Sequence, residues 1–200
     1  MPSMMSRIVT QEFDVDAAVA AVLFIIKRCK ESRLPPDRHK VLKLLYFAEK
    51  SHLENYGRFI VGDDYYALKF GPVPTRVYNA IKAVAGEGIY GRHDPKRNNP
   101  SLNESFKRCL KVTDRHLNAL REPDLDDLSE SDVDCLDASV TQYGGSSFNR
   151  LTELSHDDAW KQAANGTAIS LEDIARTLPN HEMLLAYLRN PYPDHDDVPS

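Results

Sequence analysis

The chain has 200 residues, of which 42% are hydrophobic and 28% charged, with a formal net charge of -5 at pH 7. This composition is ordinary for a globular protein, and the length suits one domain. The longest apolar run, residues 15–26, is too short for a bilayer span of about 20 residues. It also lacks the basic start and cleavage site of a signal peptide. We therefore expect a cytoplasmic protein that does not contact a membrane.

Metal and disulfide chemistry find little support in the sequence. The three cysteines, Cys29, Cys109 and Cys135, lie far apart and form no CxxC pair. This spacing argues against a disulfide framework and against a cysteine zinc site. Residues 194–197 read Asp-His-Asp-Asp, but ligands on a loose segment bind a metal only at a large ordering cost. We expect no metal and no cofactor.

Apolar periodicity near 100° per residue predicts two long helices early in the chain. The first spans Val15 to about Cys29 and has Asp14 as a plausible N-cap. The second spans Arg38 to Tyr56, and Gly57 supplies a left-handed exit. Most of the second helix is apolar, so it should pack on more than one neighbour.

The middle of the chain is less regular. The segment from Arg58 to Lys69 reads as irregular or briefly extended. Pro74 suits the first position of a third helix that ends near Ala85. Residues 86–105 hold three glycines and two prolines and predict a long loop. Residues 107–112, KRCLKV, could form a strand or a helix.

Capping signals mark the later helices. Ser129 and Ser170 each begin a Ser-x-x-Asp capping box, and the first of these helices should run to about Tyr143. A short helix around residues 151–160 lies between them, and a last helix should end near Arg189. We expect residues 1–189 to form one domain. Residues 190–200 read as a loose acidic tail.

Two polar pairs fall on predicted helix faces. Glu49 and His52 are three residues apart, so they are neighbours on one face and would suit proton transfer. The alternative is a structural role, in which a buried polar group is satisfied by a hydroxyl, an amide or a histidine. We favour that role for Glu49 and His52, because no nucleophile or metal set accompanies them. His156 and Trp160 are one turn apart, and we expect their rings to pack together in the core rather than hold a ligand.

Phe47 is an apolar residue on the polar arc of the second helix, among Lys40, Lys43 and Lys50. An aromatic anchor ringed by cations is common at protein interfaces, which makes this face a candidate for partner binding. Stacking on nucleic acid is the rival interpretation, but the acidic chain disfavours it. The remaining alternative is that Phe47 packs on a neighbouring helix.

Charge is distributed unevenly along the chain. Residues 92–121 hold eight basic side chains against three acidic ones, whereas residues 122–137 hold eight acidic side chains and no Lys or Arg. Such a switch of sign can steer a charged partner. We therefore add Asp124, Asp126 and Asp127 to the candidate contact residues. The alternative is that the two stretches neutralise each other on one surface.

Three stretches of the sequence resemble a known family. KLLYFAEKSHL at residues 43–53 and YYALKFGPV at residues 65–73 resemble the Panacea domain, also called the SocA-like antitoxin domain. LTELSH at residues 151–156, followed by Trp160, is similar to its closing helix. The resemblance spans roughly residues 15–165. It implies a mainly α fold with a small β element, a short hairpin, between helices.

The resemblance also implies a function. Members of this family are bacterial or phage antitoxins, encoded beside small toxins that they neutralise by direct binding, and no catalytic residues are implied. Some members instead deliver the toxin to an ATP-dependent protease. We expect a cognate protein toxin as the partner. A protease adaptor is the alternative, and a nucleic-acid-binding module or a small enzyme that uses Glu49 and His52 are further ones.

Overall fold

The computed structural model describes residues 11–89 and 91–190, and it is mainly α, as expected. No helix in this part of the chain is long and apolar enough to cross a membrane. Two hairpins and a 3₁₀ turn at Leu125–Asp127 accompany the α-helices. The α-helices within the described ranges are α1 Val15–Glu31, α2 Arg38–Tyr56, α3 Thr75–Val84, α4 Pro100–Cys109, α5 Glu130–Tyr143, α6 Phe148–Ser155, α7 Asp158–Gln162, α8 Leu171–Arg176 and α9 His181–Arg189.

Helix α1 is enclosed on nearly every side. Every residue from Ala17 to Ile26 is buried, as a helix that is apolar all round requires. Its first turn is closed by the Asp14 carboxylate, which accepts bonds from the amides of Asp16 and Ala17. The helix ends at Glu31, two residues beyond the predicted end. It forms the centre of the larger of two hydrophobic clusters.

Helix α2 has the predicted bounds and is shared by both hydrophobic clusters. Leu44 and Leu45 face the larger cluster, whereas Tyr46 and Leu53 face the smaller one. The helix ends at Gly57, whose φ of 72° lies in the left-handed region. Because α2 packs on both sides, its side chains set how the rest of the chain is arranged.

The expected hairpin follows α2. Strand β1, Tyr65–Leu68, pairs antiparallel with β2, Gly71–Pro74, and Leu68 lies opposite Gly71. Lys69 and Phe70 therefore form a two-residue turn at its tip. Ala67 extends the pairing by donating to the carbonyl of Thr167 at 2.9 Å, which ties the hairpin to the C-terminal helices.

A second hairpin was not predicted. Strand β3, Leu110–Thr113, pairs antiparallel with β4, His116–Ala119. The ambiguous segment 107–112 contains both structures, since α4 ends at Cys109 and β3 begins at the next residue. The predicted loop at 86–105 is also shorter than expected, because α4 begins at Pro100 after an Asn99 cap. The propensities of this segment favoured neither state, and tertiary packing decided the outcome.

The capping signals located the later helices well. The box at Ser129 and Asp132 is complete, with both reciprocal bonds present. At Ser170 the hydroxyl accepts from the amide of Asp173 but donates to its carboxylate at 2.6 Å, so only the forward half of a box forms. The short helix predicted around residues 151–160 is two helices, α6 and α7. The tail predicted at 190–200 lies outside the described residues, apart from Asn190.

Gly71 occupies a position that no other residue type fits well. Its φ is 103°, and a Cβ there would lie 2.4 Å from Ser155 Oγ and 2.5 Å from Lys43 Nζ. We expect Gly71→Ala to lower the free energy of unfolding by about 2 kcal/mol or more, measured by urea denaturation. Gly88→Ala is the matched control, because a Cβ there meets nothing within 4 Å. Equal stability of the two variants would contradict this description of the hairpin.

Candidate functional site

The candidate acidic residues are exposed and lie beside further carboxylates. Asp124, Asp126 and Asp127 are all solvent-exposed around the 3₁₀ turn. Partial burial, followed by the nearby carboxylates of Asp124, Asp16 and Asp14, raises the pKa of Asp127. The start of α1 therefore adds two acids that the sequence stretch alone did not include. We call this surface the acidic face: Asp14, Asp16, Asp124, Asp126 and Asp127.

Several other acids of residues 122–137 pair with cations from outside the basic stretch 92–121. Glu122 lies 2.7 Å from Lys27 of α1, and Asp132 lies 2.9 Å from Arg58. The first pair ties the segment between β4 and the 3₁₀ turn to α1, and the second ties the first turn of α5 to the loop after α2. They do not include the carboxylates of the acidic face.

We expected the lysine arc of α2 to be exposed, but most of it is covered. Lys40 and Lys43 are buried, and Lys43 is only 1% exposed. Lys40 Nζ donates to the carbonyl of Gly144 at 2.6 Å, and Lys43 Nζ donates to that of Pro72 at 2.7 Å. The expectation of a solvent-facing cation ring was wrong for these two lysines, because α5 and the first hairpin cover this side of the helix. Their long side chains carry the charge to a main-chain acceptor instead.

Phe47 and Lys50 line a groove rather than a flat face. Phe47 is half-buried, and its ring centroid lies 4.4 Å from that of Tyr143. Lys50 Nζ forms an ion pair with Oδ2 of Asp157 at 2.7 Å. Together with Cys135 and neighbouring residues of α5, they border a groove of about 310 Å³. Packing on a neighbouring helix, the alternative for Phe47, matches this geometry.

The stretches that resemble the family contact each other in one polar cluster beside the first hairpin. Asp157 Oδ2 accepts from the Tyr46 hydroxyl at 2.8 Å and from Lys50 at 2.7 Å, and its other oxygen accepts from the Trp160 amide at 3.1 Å. Burial lowers the pKa of Lys43 to about 7. The three stretches that resemble the family, residues 43–53, residues 65–73 and residues 151–160, thus contact each other. We call this set the motif cluster: Lys43, Tyr46, Lys50, Pro72, Asp157 and Trp160.

His156 and Trp160 stack as predicted, although both are half-buried rather than deep in the core. Their ring centroids are 3.6 Å apart and the planes differ by 1°. Trp160 Nε1 donates to the carbonyl of Leu68 at 2.9 Å. The stack therefore holds α7 against the end of β1, which is a structural use of both rings.

Glu49 and His52 are completely buried and have separate partners. The Glu49 carboxylate accepts from the main-chain amides of Ile60 and Val61. His52 is bonded through Nδ1 to the Arg58 carbonyl at 3.0 Å, and its Nε2 lies 3.0 Å from an oxygen of Asp132. Both side chains hold the segment after α2 in place. Neither side chain is exposed to solvent.

An exposed aromatic pair was missed in the sequence. Phe70 and Phe148 are 47% and 46% exposed, and their ring centroids lie 5.3 Å apart. They border an open depression of about 510 Å³ that Thr152 and His156 also line. A phenylalanine in a two-residue hairpin turn, where Asn or Gly is usual, was the signal that could have revealed Phe70. Nothing in the sequence placed Phe148 beside it.

The described part of the chain is mainly helical, its motif side chains bond internally, and its exterior carries acidic and aromatic surfaces. The family model for the antitoxin SocA-like, Panacea domain matches residues 41–161. The chain belongs to this family, whose name supports an antitoxin role in general and suggests a non-enzymatic one. The matched range includes the whole motif cluster but not α1, α8 or α9. No curated protein and no solved structure matches the chain.

Glu49 gives the chain a specific dependence of stability on pH. Burial raises its pKa from 4.5 to about 8, so the folded state keeps a proton that the unfolded state releases. The stability that the protonated Glu49 contributes is fully present below about pH 4.5, and it is lost as the pH rises towards 8. We expect the unfolding free energy of the wild type, relative to Glu49→Gln, to fall by up to about 1.4 kcal/mol per pH unit in that window. A pH-independent difference in urea denaturation would contradict the raised pKa.

Proposed function

We propose that the protein is an antitoxin that neutralises a cognate protein toxin by binding it directly and covering its active surface. The observation that carries this proposal is the internal use of the family's motif side chains. Lys43 and Tyr46 are buried, and they donate to the carbonyl of Pro72 and to the carboxylate of Asp157. The motif cluster therefore acts as a rigid support, and recognition falls to the exterior.

The acidic face supplies the electrostatic part of this contact. Its carboxylates concentrate negative charge at the joined starts of α1 and the 3₁₀ turn. Complementary charge speeds association and selects partners more than it adds affinity. A toxin that acts on RNA or nucleotides presents cations to phosphate groups, so these carboxylates would occupy phosphate positions and block the toxin's site.

Charge reversal tests the acidic face. We expect Asp126→Lys with Asp127→Lys to slow association with the toxin by about tenfold or more at low salt. The effect should shrink as ionic strength rises, because exposed charges are screened. The measurement is the association rate between the purified variant and the product of the neighbouring reading frame, across a salt series.

The control variant combines Glu104→Lys with Glu182→Lys. Both residues are exposed, lie on α4 and α9, and are not part of the acidic face. This pair makes the same change in net charge. If the association rate fell equally in both variants, the cause would be the overall charge of the protein. That result would remove the acidic face from the proposed interface.

The alternative function is a proteolytic adaptor that delivers the toxin to an ATP-dependent protease. Its support is the proline-rich, acidic composition of residues 190–200, which is typical of segments that partner proteins bind. Deletion of these residues separates the two functions. Occlusion predicts full protection of cells by the truncated chain, also in a strain without the protease. Loss of protection, together with toxin that no longer turns over, would favour the adaptor.

A further inference from the structure

The exposed aromatic pair, Phe70 and Phe148, is unusual for a surface. Large apolar side chains in contact with each other and half open to water mark binding sites more often than scattered single ones. The pair is contiguous with the depression that Thr152 and His156 line. The motif cluster does not use the two rings, and neither lies on the acidic face.

Phe70 is held in place from both sides of the hairpin tip. Lys43 donates to the carbonyl of Pro72 at 2.7 Å, and Trp160 donates to that of Leu68 at 2.9 Å. Gly71, next to Phe70, lies against Ser155 of α6 so closely that a Cβ would clash. Two motif residues therefore fix the turn that presents the ring.

Phe148 is fixed independently. It is the first residue of α6, whose N-cap Ser147 accepts from the amide of Arg150 at 3.2 Å. Its ring stacks on His39 with centroids 4.0 Å apart. Rings held in position before binding lose little conformational entropy when a partner covers them. Preorganised aromatic side chains of this kind are the usual hot spots of interfaces.

The charges around the pair favour a carboxylate on the partner. Lys69 Nζ lies 5.2 Å from the Phe70 ring, and no ion pair to Lys69 occurs within the described residues. Arg150 and Lys161 are each paired within their own helices, with Glu153 and Asp158. The rim therefore carries one exposed cation that is not matched by a neighbouring acid.

We propose that Phe70 and Phe148 are the apolar anchor for the toxin, and that they bind an aliphatic or aromatic side chain flanked by a carboxylate that meets Lys69. This inference rests on the proposed function. The anchor lies at the start of α2, through His39, whereas the acidic face lies near its end, where Asp14 donates to Val61. A helix of 19 residues is about 28 Å long, a distance that one small toxin domain spans.

The two surfaces have separable kinetic roles. The acidic face steers encounter, and the aromatic pair holds the complex once it has formed. We expect Phe70→Ala with Phe148→Ala to raise the dissociation rate of the toxin at least about tenfold and to leave the association rate within about threefold. Lys69→Glu should also raise the dissociation rate of the toxin, by a smaller factor.

The experiment uses the full chain and the product of the reading frame next to its gene, with rates from surface plasmon resonance. The matched control is Met183→Ala with Tyr187→Ala, two exposed apolar side chains of α9. Because both rings are about half buried and Phe148 stacks on His39, the double variant should unfold at a somewhat lower urea concentration than the wild type. A cooperative urea transition that begins well above the assay conditions excludes misfolding as the cause.

The outcomes separate this inference from the proposed function. The anchor would be overturned if the Phe70→Ala, Phe148→Ala variant released the toxin at the wild-type rate, or if the α9 control raised the dissociation rate equally. Either result would leave the antitoxin function intact. Sedimentation that shows a wild-type dimer and a monomeric double variant would assign the pair to self-association and would also overturn the anchor. Failure of the wild type to bind the toxin would overturn both.

Discussion

The structure depends on satisfying the polar side chains that α2 carries into the interior. A buried charge or hydrogen-bonding group must find a partner, because leaving it unpaired costs several kcal/mol. The buried polar side chains of α2 find their main-chain partners in three later segments. The main-chain partners are Gly144 for Lys40, Pro72 for Lys43, Ile60 and Val61 for Glu49, and Arg58 for His52. One helix thus fixes the positions of the following loop, the first hairpin and the end of α5.

This arrangement gives the motif side chains a structural use. Tyr46, Lys50 and Asp157 resemble groups of an active site by type, yet their hydrogen bonds connect α2 to the start of α7. Lys43 and Trp160 of the same cluster donate to the carbonyls of Pro72 and Leu68 and so position Phe70, whereas Phe148 is held separately by its stack on His39. The interior and the proposed binding surface are therefore linked mechanically at Phe70.

The sequence predicted the helices better than the surfaces. Strong local signals, such as the Ser129 capping box and Gly57, located helix ends because they act within one turn of chain. The second hairpin was missed because residues 107–112 have no decisive local preference. Lys40 and Lys43 were predicted to be exposed, since periodicity reports which side of a helix is polar but not what covers it. Phe148 comes beside Phe70 only through packing of α6 on the hairpin tip, which no spacing in the sequence encodes.

The most direct test of the central claim is a titration of purified toxin activity with purified antitoxin, in the absence of any protease. Neutralisation by occlusion predicts that inhibition rises linearly and is complete at a fixed molar ratio, with active toxin recovered when the complex is dissociated. Inhibition by far less than one equivalent, with continued loss of active toxin over time, would show turnover and contradict the account.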